Sequence, residues 1–225
     1  RGIYRRLFQE HVQVRTIENI NQLFFDRQFG YFEANQNDFK KIPGSPICYW
    51  LSKNIMDVYS SVPLLKNGYN FKRGIATGDN NRFLRFWHEI DYSKVNQKWF
   101  PYNKGGDFRK WSGNKNYFIN WENEGYEIQN FKDGVGELRS RPQNIEYNFV
   151  ENISYSSLTA GDPSFRKYVG YINDQAGNFI IAKEKNKLDP LLGLLNSKVA
   201  KYFIKIKNQT LNLTAEDIYG LPVII

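Results

Sequence analysis

From about residue 70 to residue 182 the chain is a succession of short apolar and aromatic runs broken by Gly, Asn and Asp. This is the pattern of strands and turns. The stretch is about half of the 225 residues, so it commits the fold to sheet. Residues 83–90, FLRFWHEI, alternate with Leu84, Phe86, His88 and Ile90 on one face and Phe83, Arg85, Trp87 and Glu89 on the other, which predicts a strand. Residues 115–121, 166–172 and 177–182 are further predicted strands.

The clearest helical signal comes later. Asp189 is placed to cap and Pro190 to start a helix in which Leu191, Leu192, Leu195, Val199, Tyr202, Phe203 and Ile206 share one face, with Asn196, Lys198, Lys201 and Lys205 opposite. About 18 residues of helix would span roughly 27 Å. A basic amphipathic helix also suits a membrane surface, but beside so much strand the core-packed reading takes precedence. Pro43, Gly44 and Pro46, with Ser45 as cap, predict a shorter helix up to Ser60 through Tyr49, Trp50, Ile55 and Val58. Residues 1–42 are expected to be a linker or the tail of another domain, with a weak helical pattern around Ile17, Ile20 and Phe24, and the closing DIYGLPVII a turn and a last strand. The first residue is Arg, so the chain is expected to be part of something longer. The fold class is α+β.

Much chemistry lacks its residues. There is no Gly-rich phosphate loop ending in Lys-Ser/Thr, and the glycines in GIATGDNNRFLRFW (residues 74–87) complete no dinucleotide fingerprint. Two histidines, His11 and His88, and one cysteine, Cys48, cannot build the usual zinc sites or an internal disulfide. A lone cysteine fits a reducing cytoplasm. His88 reads as a structural histidine, the Ser164/Lys167 pair as a chance S-x-x-K match, Glu122, Glu124 and Glu127 as a solvated acidic turn, and Cys48 as a buried small hydrophobe. No run approaches the roughly 18 apolar residues of a membrane span.

What remains is charge. The net charge is +8, which makes a polyanion the first partner to consider. Most of it lies in two segments. Residues 98–115 carry Lys98, Lys104, Arg109, Lys110 and Lys115 against Asp107, interleaved with Trp99, Phe100, Tyr102, Phe108 and Trp111, while residues 72–90 add Lys72, Arg73, Arg82 and Arg85 against Asp79 and Glu89. Lys and Arg neutralise phosphates, and Gly105 and Gly106 would let backbone amides approach them. Reading bases in a duplex needs bidentate side chains. Asn80, Asn81, Arg82, Arg85, Arg109, Asn114, Arg139, Arg141, Gln143 and Asn144 are the supply.

The stretches EANQNDFKKIPGSPICYWLS, GIATGDNNRFLRFWHEI, KWFPYNKGGDFRKWSGN, NWENEG, LRSRPQN, LLGLLNSKVAKYF and TLNLTAEDIYGLPVI, in this order, resemble the C-terminal part of adenine-specific DNA methyltransferases of the BREX phage-defence type and related fused restriction-modification enzymes. RGIYRRLF is similar to the tail of that family's catalytic domain. The resemblance implies that residues 43–225 are a non-catalytic target-recognition domain for double-stranded DNA, with twisted mixed β-sheets and a long amphipathic C-terminal helix like those of type I specificity subunits. It implies a bacterial, cytoplasmic parent whose N-terminal methyltransferase domain binds S-adenosylmethionine, since neither an Asn-Pro-Pro-Tyr-like motif nor a cofactor loop stands in this sequence, and no cofactor is expected here. TGDNN is then expected to be a hairpin-like turn displaying Asn80, Asn81 and Arg82 for base readout along with Arg85, Asn114, Arg139, Arg141 and Gln143. Phosphate contacts are expected from Lys72, Arg73, Lys98, Lys104, Gly105, Gly106, Arg109, Lys110 and Lys115. Two other readings stand beside it: a protein-interaction module docking other defence-system subunits or an acidic DNA mimic, and a hydrolase using His88 with Glu89 or Glu122.

Overall fold

The computed structural model describes residues 1–8, 15–157, 161–184, 186–208, 210 and 212–223. His11 lies outside them. In chain order the elements are β1 (Gly2–Arg5), α1 (Ile17–Phe25), β2 (Tyr31–Ala34), α2 (Lys53–Ser61), α3 (Leu65–Gly68), β3 (Tyr69–Lys72), α4 (Asn80–Phe83), β4 (Leu84–Phe86), β5 (Trp99–Asn103) and β6 (Tyr117–Asn120). They continue with α5 (Glu122–Gln129), β7 (Asn152–Tyr155), β8 (Phe165–Tyr168), β9 (Ile172–Asn173), β10 (Phe179–Ala182), α6 (Leu188–Leu195), α7 (Lys198–Lys207) and α8 (Ala215–Tyr219). The class is α+β, with helices and mostly antiparallel sheets.

Two four-stranded sheets carry the architecture. One runs β3-β10-β7-β8 and is antiparallel throughout; the other runs β4-β6-β5-β9, with β9 joining β5 in parallel. The first sheet packs Ile153, Tyr155, Phe165 and Ile180 against Met56 and Tyr59 of α2, Leu191 and Leu195 of α6, Phe203 and Ile204 of α7, and Ile218 of α8. Phe39 and Ile42 are buried in this core too. The second sheet has its own core of Ile75, Phe83, Leu84, Tyr102, Ile119, Trp121, Ile128 and Ile172. A separate ribbon pairs β1 with β2 and turns Tyr4 inward, stacked on Tyr49 at 4.8 Å between ring centres.

Four predicted elements change shape. The 18-residue helix is two helices, because Asn196 turns its side chain to sheet one: its Oδ1 accepts from the Phe165 amide (3.1 Å) and its Nδ2 donates to the Phe165 carbonyl (3.0 Å). Ser197 Oγ then accepts from the Ala200 amide (3.1 Å) and caps the second helix. A polar residue on an exposed face, as the helical wheel has it, is in fact a buried bracket between helix and β8. The helix expected from Pro46 begins only at Lys53, after turns closed by Cys48 N donating to Pro46 O and Leu51 N to Cys48 O. The strand expected over 83–90 is reduced to Leu84–Phe86; Phe83 ends α4, residues 87–89 form a tight turn, and Phe86 and His88 face solvent. At the end of the chain, DIYG is the end of α8 and its Gly cap, and among the described residues there only Pro222 makes a bridge, to Leu64; Ile224 and Ile225 of the expected last strand lie outside the described residues.

Asn196→Ala leaves the buried amide of Phe165 without its partner, while the Phe165 carbonyl keeps the bond from Trp111 N, a loss of about 1–3 kcal/mol. Urea unfolding of the variant should show that drop; a change under about 0.5 kcal/mol would mean the bracket is dispensable.

Candidate functional site

The two sheets are joined by a polar seam. Asn103, last residue of β5, donates from Nδ2 to Ser154 Oγ of β7 (2.7 Å) and to Asn173 Oδ1 of β9 (2.8 Å), while its Oδ1 accepts from the Gly105 amide (3.1 Å). Next to it the Tyr102 hydroxyl donates to Asp174 Oδ2 (2.6 Å). Gly74 passes so close to β9 that a Cβ there would lie 1.9 Å from the Asn173 carbonyl oxygen, so only glycine fits. The Ile75 amide donates to the Asn173 carbonyl and the Gln175 amide to the Ile75 carbonyl, each at 2.9 Å, which locks the GIATG stretch to the turn after β9.

A cleft of about 640 Å³ opens beside this seam, formed by residues 76–80, Lys104, residues 138–141 and residues 174–176. Four short segments make it. Ala76 and Arg141 exchange backbone hydrogen bonds of 3.0 and 2.8 Å, and Gly78, with φ of +76°, lets the Arg139 backbone pass where any side chain would collide. TGDNN is therefore no hairpin: Asp79 accepts from the Arg82 amide (3.1 Å) and caps α4, and Thr77 donates to Asn80 Oδ1 (2.8 Å).

The cleft brings together Asn80, Lys104, Arg139 and Arg141 of the sequence candidates. None of its three cations has an ion-pair partner among the described residues. Lys104 lies over the Tyr117 ring (4.8 Å) and Arg139 over Phe131 (5.7 Å), so aromatic faces hold them without cancelling their charge. Asp174 sits at the wall. Burial pushes its carboxyl above the ordinary aspartate range, against the Tyr102 hydroxyl, the Ala176 amide and the nearby Lys104, which favour the ionised form.

Other candidates are engaged elsewhere. Arg82 is bound to Glu127 through Nε (2.8 Å) and Nη2 (2.5 Å), and Lys98 to Glu122 (3.2 Å). Arg85 donates to the Asn81 and Leu84 carbonyls, both at 2.7 Å, leaving Asn81 exposed beside it. Gln143 donates to the Gly74 carbonyl (2.8 Å) and Asn144 to that of Arg73 (2.9 Å). Lys72 covers the Tyr147 ring at 4.6 Å, and with Arg73 it borders a second hollow of about 250 Å³ near Thr214 and Ala215.

The basic loop after β5 is rigidly seated by a residue that composition does not single out. Arg166 on β8 is fully buried and donates to Ser156 Oγ (3.0 Å), Ser164 Oγ (3.2 Å) and the carbonyls of Arg109 (3.3 Å) and Asp107 (3.4 Å). Trp111 N donates to the Phe165 carbonyl, Ser156 Oγ to that of Gly106, and Asn114 Nδ2 to that of Asp107. Gly105 and Gly106 take positive φ, as the loop's turn needs. Arg109 and Lys115 point to solvent, whereas Lys110 reaches back to the Asn196 carbonyl (2.9 Å) at the helix break.

Sequence reasoning passed over Asp174, Gln175, Thr77 and Leu138, which line the cleft. The signal available was the turn NDQAGN (residues 173–178), a Gly/Asn/Asp break like the ones it did weigh. His88 is exposed and stacks on Phe86 rather than sitting in an apolar face. Ser164 accepts from Arg166 while Lys167 is held between Glu151 (2.6 Å) and Asp189 (2.5 Å), so the S-x-x-K residues serve separate contacts. Cys48 is buried, and burial raises its thiol. Among the described residues no His/Cys/Asp/Glu cluster is placed to hold a metal, and no helix is long and apolar enough to cross a membrane.

The raised Asp174 carboxyl fixes the sign of one pH effect. Its neutral form favours folding, so its contribution is complete below the usual aspartate range and lost as pH rises through the raised value. The stability advantage of wild type over Asp174→Asn should shrink between about pH 3 and about pH 7 in urea unfolding, and a constant gap would contradict it.

No family model matches the chain. It is 36% identical over 238 aligned residues to the adenine-specific methyltransferase PglX of Lacticaseibacillus casei (strain Zhang), covering 99% of this chain and 20% of that protein. It is 33% identical over 233 residues to the adenine-specific methyltransferase BrxX of Escherichia coli O9:H4 (strain HS), covering 99% of this chain and 18% of that one. The chain thus spans about a fifth of the length of these relatives, at their C-terminal end. Over nearly all of its own length, the chain matches the C-terminal segment of adenine-specific methyltransferases of the PglX and BrxX kind.

Proposed function

We propose that the chain is a double-stranded DNA recognition module of an adenine-N6 DNA methyltransferase active in phage defence, and carries no catalytic group of its own. The methyl donor, S-adenosylmethionine, and the chemistry belong in this reading to a methyltransferase domain of a bacterial cytoplasmic enzyme. The observation that carries it is the cleft, where Lys104, Arg139 and Arg141 converge beside Asn80, none of them in an ion pair among the described residues. A cation left unpaired on a protein surface is available to a phosphate.

A duplex is far wider than a cleft of 640 Å³, so contact is made along its rim. Lys104, Arg109 and Lys115 on the seated loop, and Lys72 and Arg73 beyond the cleft, bind phosphates. Asn80 and Asn81 at the start of α4, with Arg139 and Arg141, present amide and guanidinium groups to base edges. Arg82, Arg85, Asn114 and Gln143 read bases only on exchanging their present intramolecular partners, and Lys98 and Lys110 act in the same way toward phosphate.

Duplex binding by the chain should weaken with salt, log affinity falling about 0.9 per tenfold salt for each phosphate contact. Replacing Lys104, Arg139 and Arg141 together by alanine should weaken duplex binding, flatten that slope by about one for the phosphate contact of Lys104, and relax base preference where the two arginines read, as a fluorescence-anisotropy salt titration over several sequences would show. Asn81→Ala should instead change preference at one base pair, by about 1–3 kcal/mol, in a randomised-site selection. Unchanged duplex affinity of the triple variant would remove the cleft from the interface. Salt-insensitive binding to another defence subunit, with no duplex binding, would replace the reading with protein docking.

A further inference from the structure

An amphipathic helix of a globular protein normally turns its apolar stripe to the core. Helix α1 does the reverse. Ile17, Ile20 and Phe24 share one face at helical spacing, and no residue of the helix is buried; Ile17 is 72% exposed and Phe25 74%. Nine residues are too few for a stable helix in water without packing.

What holds α1 is polar. In the β1–β2 ribbon, Tyr4 and Phe32 face the core, where both meet the Tyr49 ring, so Ile3, Arg5, Tyr31 and Glu33 face outward. Arg5 reaches from that outer face to the carbonyls of Phe24 (2.6 Å), Leu23 (2.9 Å), Phe29 (3.1 Å) and Asp26, closing the C-terminal end of the helix with its charge. Thr16 Oγ1 accepts from the Asn19 amide (3.3 Å) at the other end. The helix is thereby fixed on the side of the ribbon away from the core, with its apolar face open. Exposed apolar surface of this kind, contiguous and mounted on a defined backbone, marks an interaction site.

We propose that the apolar face of α1, together with the outer face of the β1–β2 ribbon, docks onto the methyltransferase domain of the enzyme. The relatives supply the argument for this occupant. About four-fifths of their length lies outside the segment this chain matches, and the matched segment is C-terminal, so in them the remainder of the protein joins at the position of β1. That strand carries Arg5, the residue that holds α1. A domain entering through β1 lies within reach of the unburied face, and covering Ile17, Ile20, Phe24 and Phe25 gives it an apolar patch to pack on. The DNA-facing cleft plays no part in this contact, so either proposal can fail alone.

Hydrogen–deuterium exchange tests it on two proteins: this chain by itself, and the same 225 residues joined to the N-terminal four-fifths of the L. casei relative. The amides of α1 should exchange at least about tenfold more slowly in the joined protein, and Ile17→Glu with Phe24→Glu should abolish the difference. Equal exchange in the two proteins overturns the proposal. So does concentration-dependent pairing of the isolated chain that the double variant abolishes, with no added protection in the joined protein, because the occupant is then a second copy. Should the graft not fold, the intact L. casei relative provides the second measurement. A cysteine at its position matched to Phe24 should react with maleimide at least about tenfold more slowly in the native protein than in urea, and equal rates overturn the proposal.

Discussion

The side chain of Asn103 is the point on which the arrangement turns. With one amide it reaches β7 of the first sheet, β9 of the second, and the first turn of the basic loop. Two sheets with separate apolar cores have no hydrophobic reason to keep one relative position, and a buried network of hydrogen bonds supplies it. Tyr102 and Asp174 extend the same seam, and Gly74 permits the close backbone approach that brings the GIATG stretch alongside. The cleft is a by-product of this joint, since its walls are the segments that meet there.

Charge on this molecule is best understood by partner. Lys98, Lys167, Lys201 and Arg82 are held by carboxylates and stiffen the surface. Lys104, Arg139 and Lys72 rest on aromatic rings instead, which restrict them and leave their field intact. The interleaving of Lys and Arg with Tyr, Phe and Trp has this physical sense: the rings position cations more than they offer themselves for stacking. Phe131 illustrates it, with Arg82 and Arg139 both over its face.

Arg166 is the unusual member of the set. A buried guanidinium without a carboxylate is costly, and this one is met by two hydroxyls and two carbonyls. Both carbonyls belong to the loop that carries Arg109 and Lys110, so the desolvation of one cation is coupled to the shape of the segment that displays others. The main-chain bonds of Trp111 to β8 complete the seat.

Periodicity and punctuation were enough to give the α+β class, three of the predicted strands as β6, β8 and β10, the burial of Leu191, Leu192, Leu195, Phe203 and Ile206 in α6 and α7, though Val199 and Tyr202 of the same expected face are exposed, and the burial of Cys48. Where the strand at 83–90 and the single long helix were expected, tertiary partners overrode local pattern: the turn at Trp87 ends β4, and Asn196 gives up its place in the helix for two hydrogen bonds to β8. Likewise the basic residues were legible as a set, and Asn80, Lys104, Arg139 and Arg141 are drawn from it. Which cations stay unpaired was not, because Glu127 and Glu122 find Arg82 and Lys98 only once α5 is folded onto the second sheet. The sequence by itself determined the chemical inventory and the local periods, which depend on neighbours along the chain. Only the tertiary structure decided the cleft and the role of Arg166, since both arise from residues tens of positions apart, and a one-dimensional pattern carries no record of such distances.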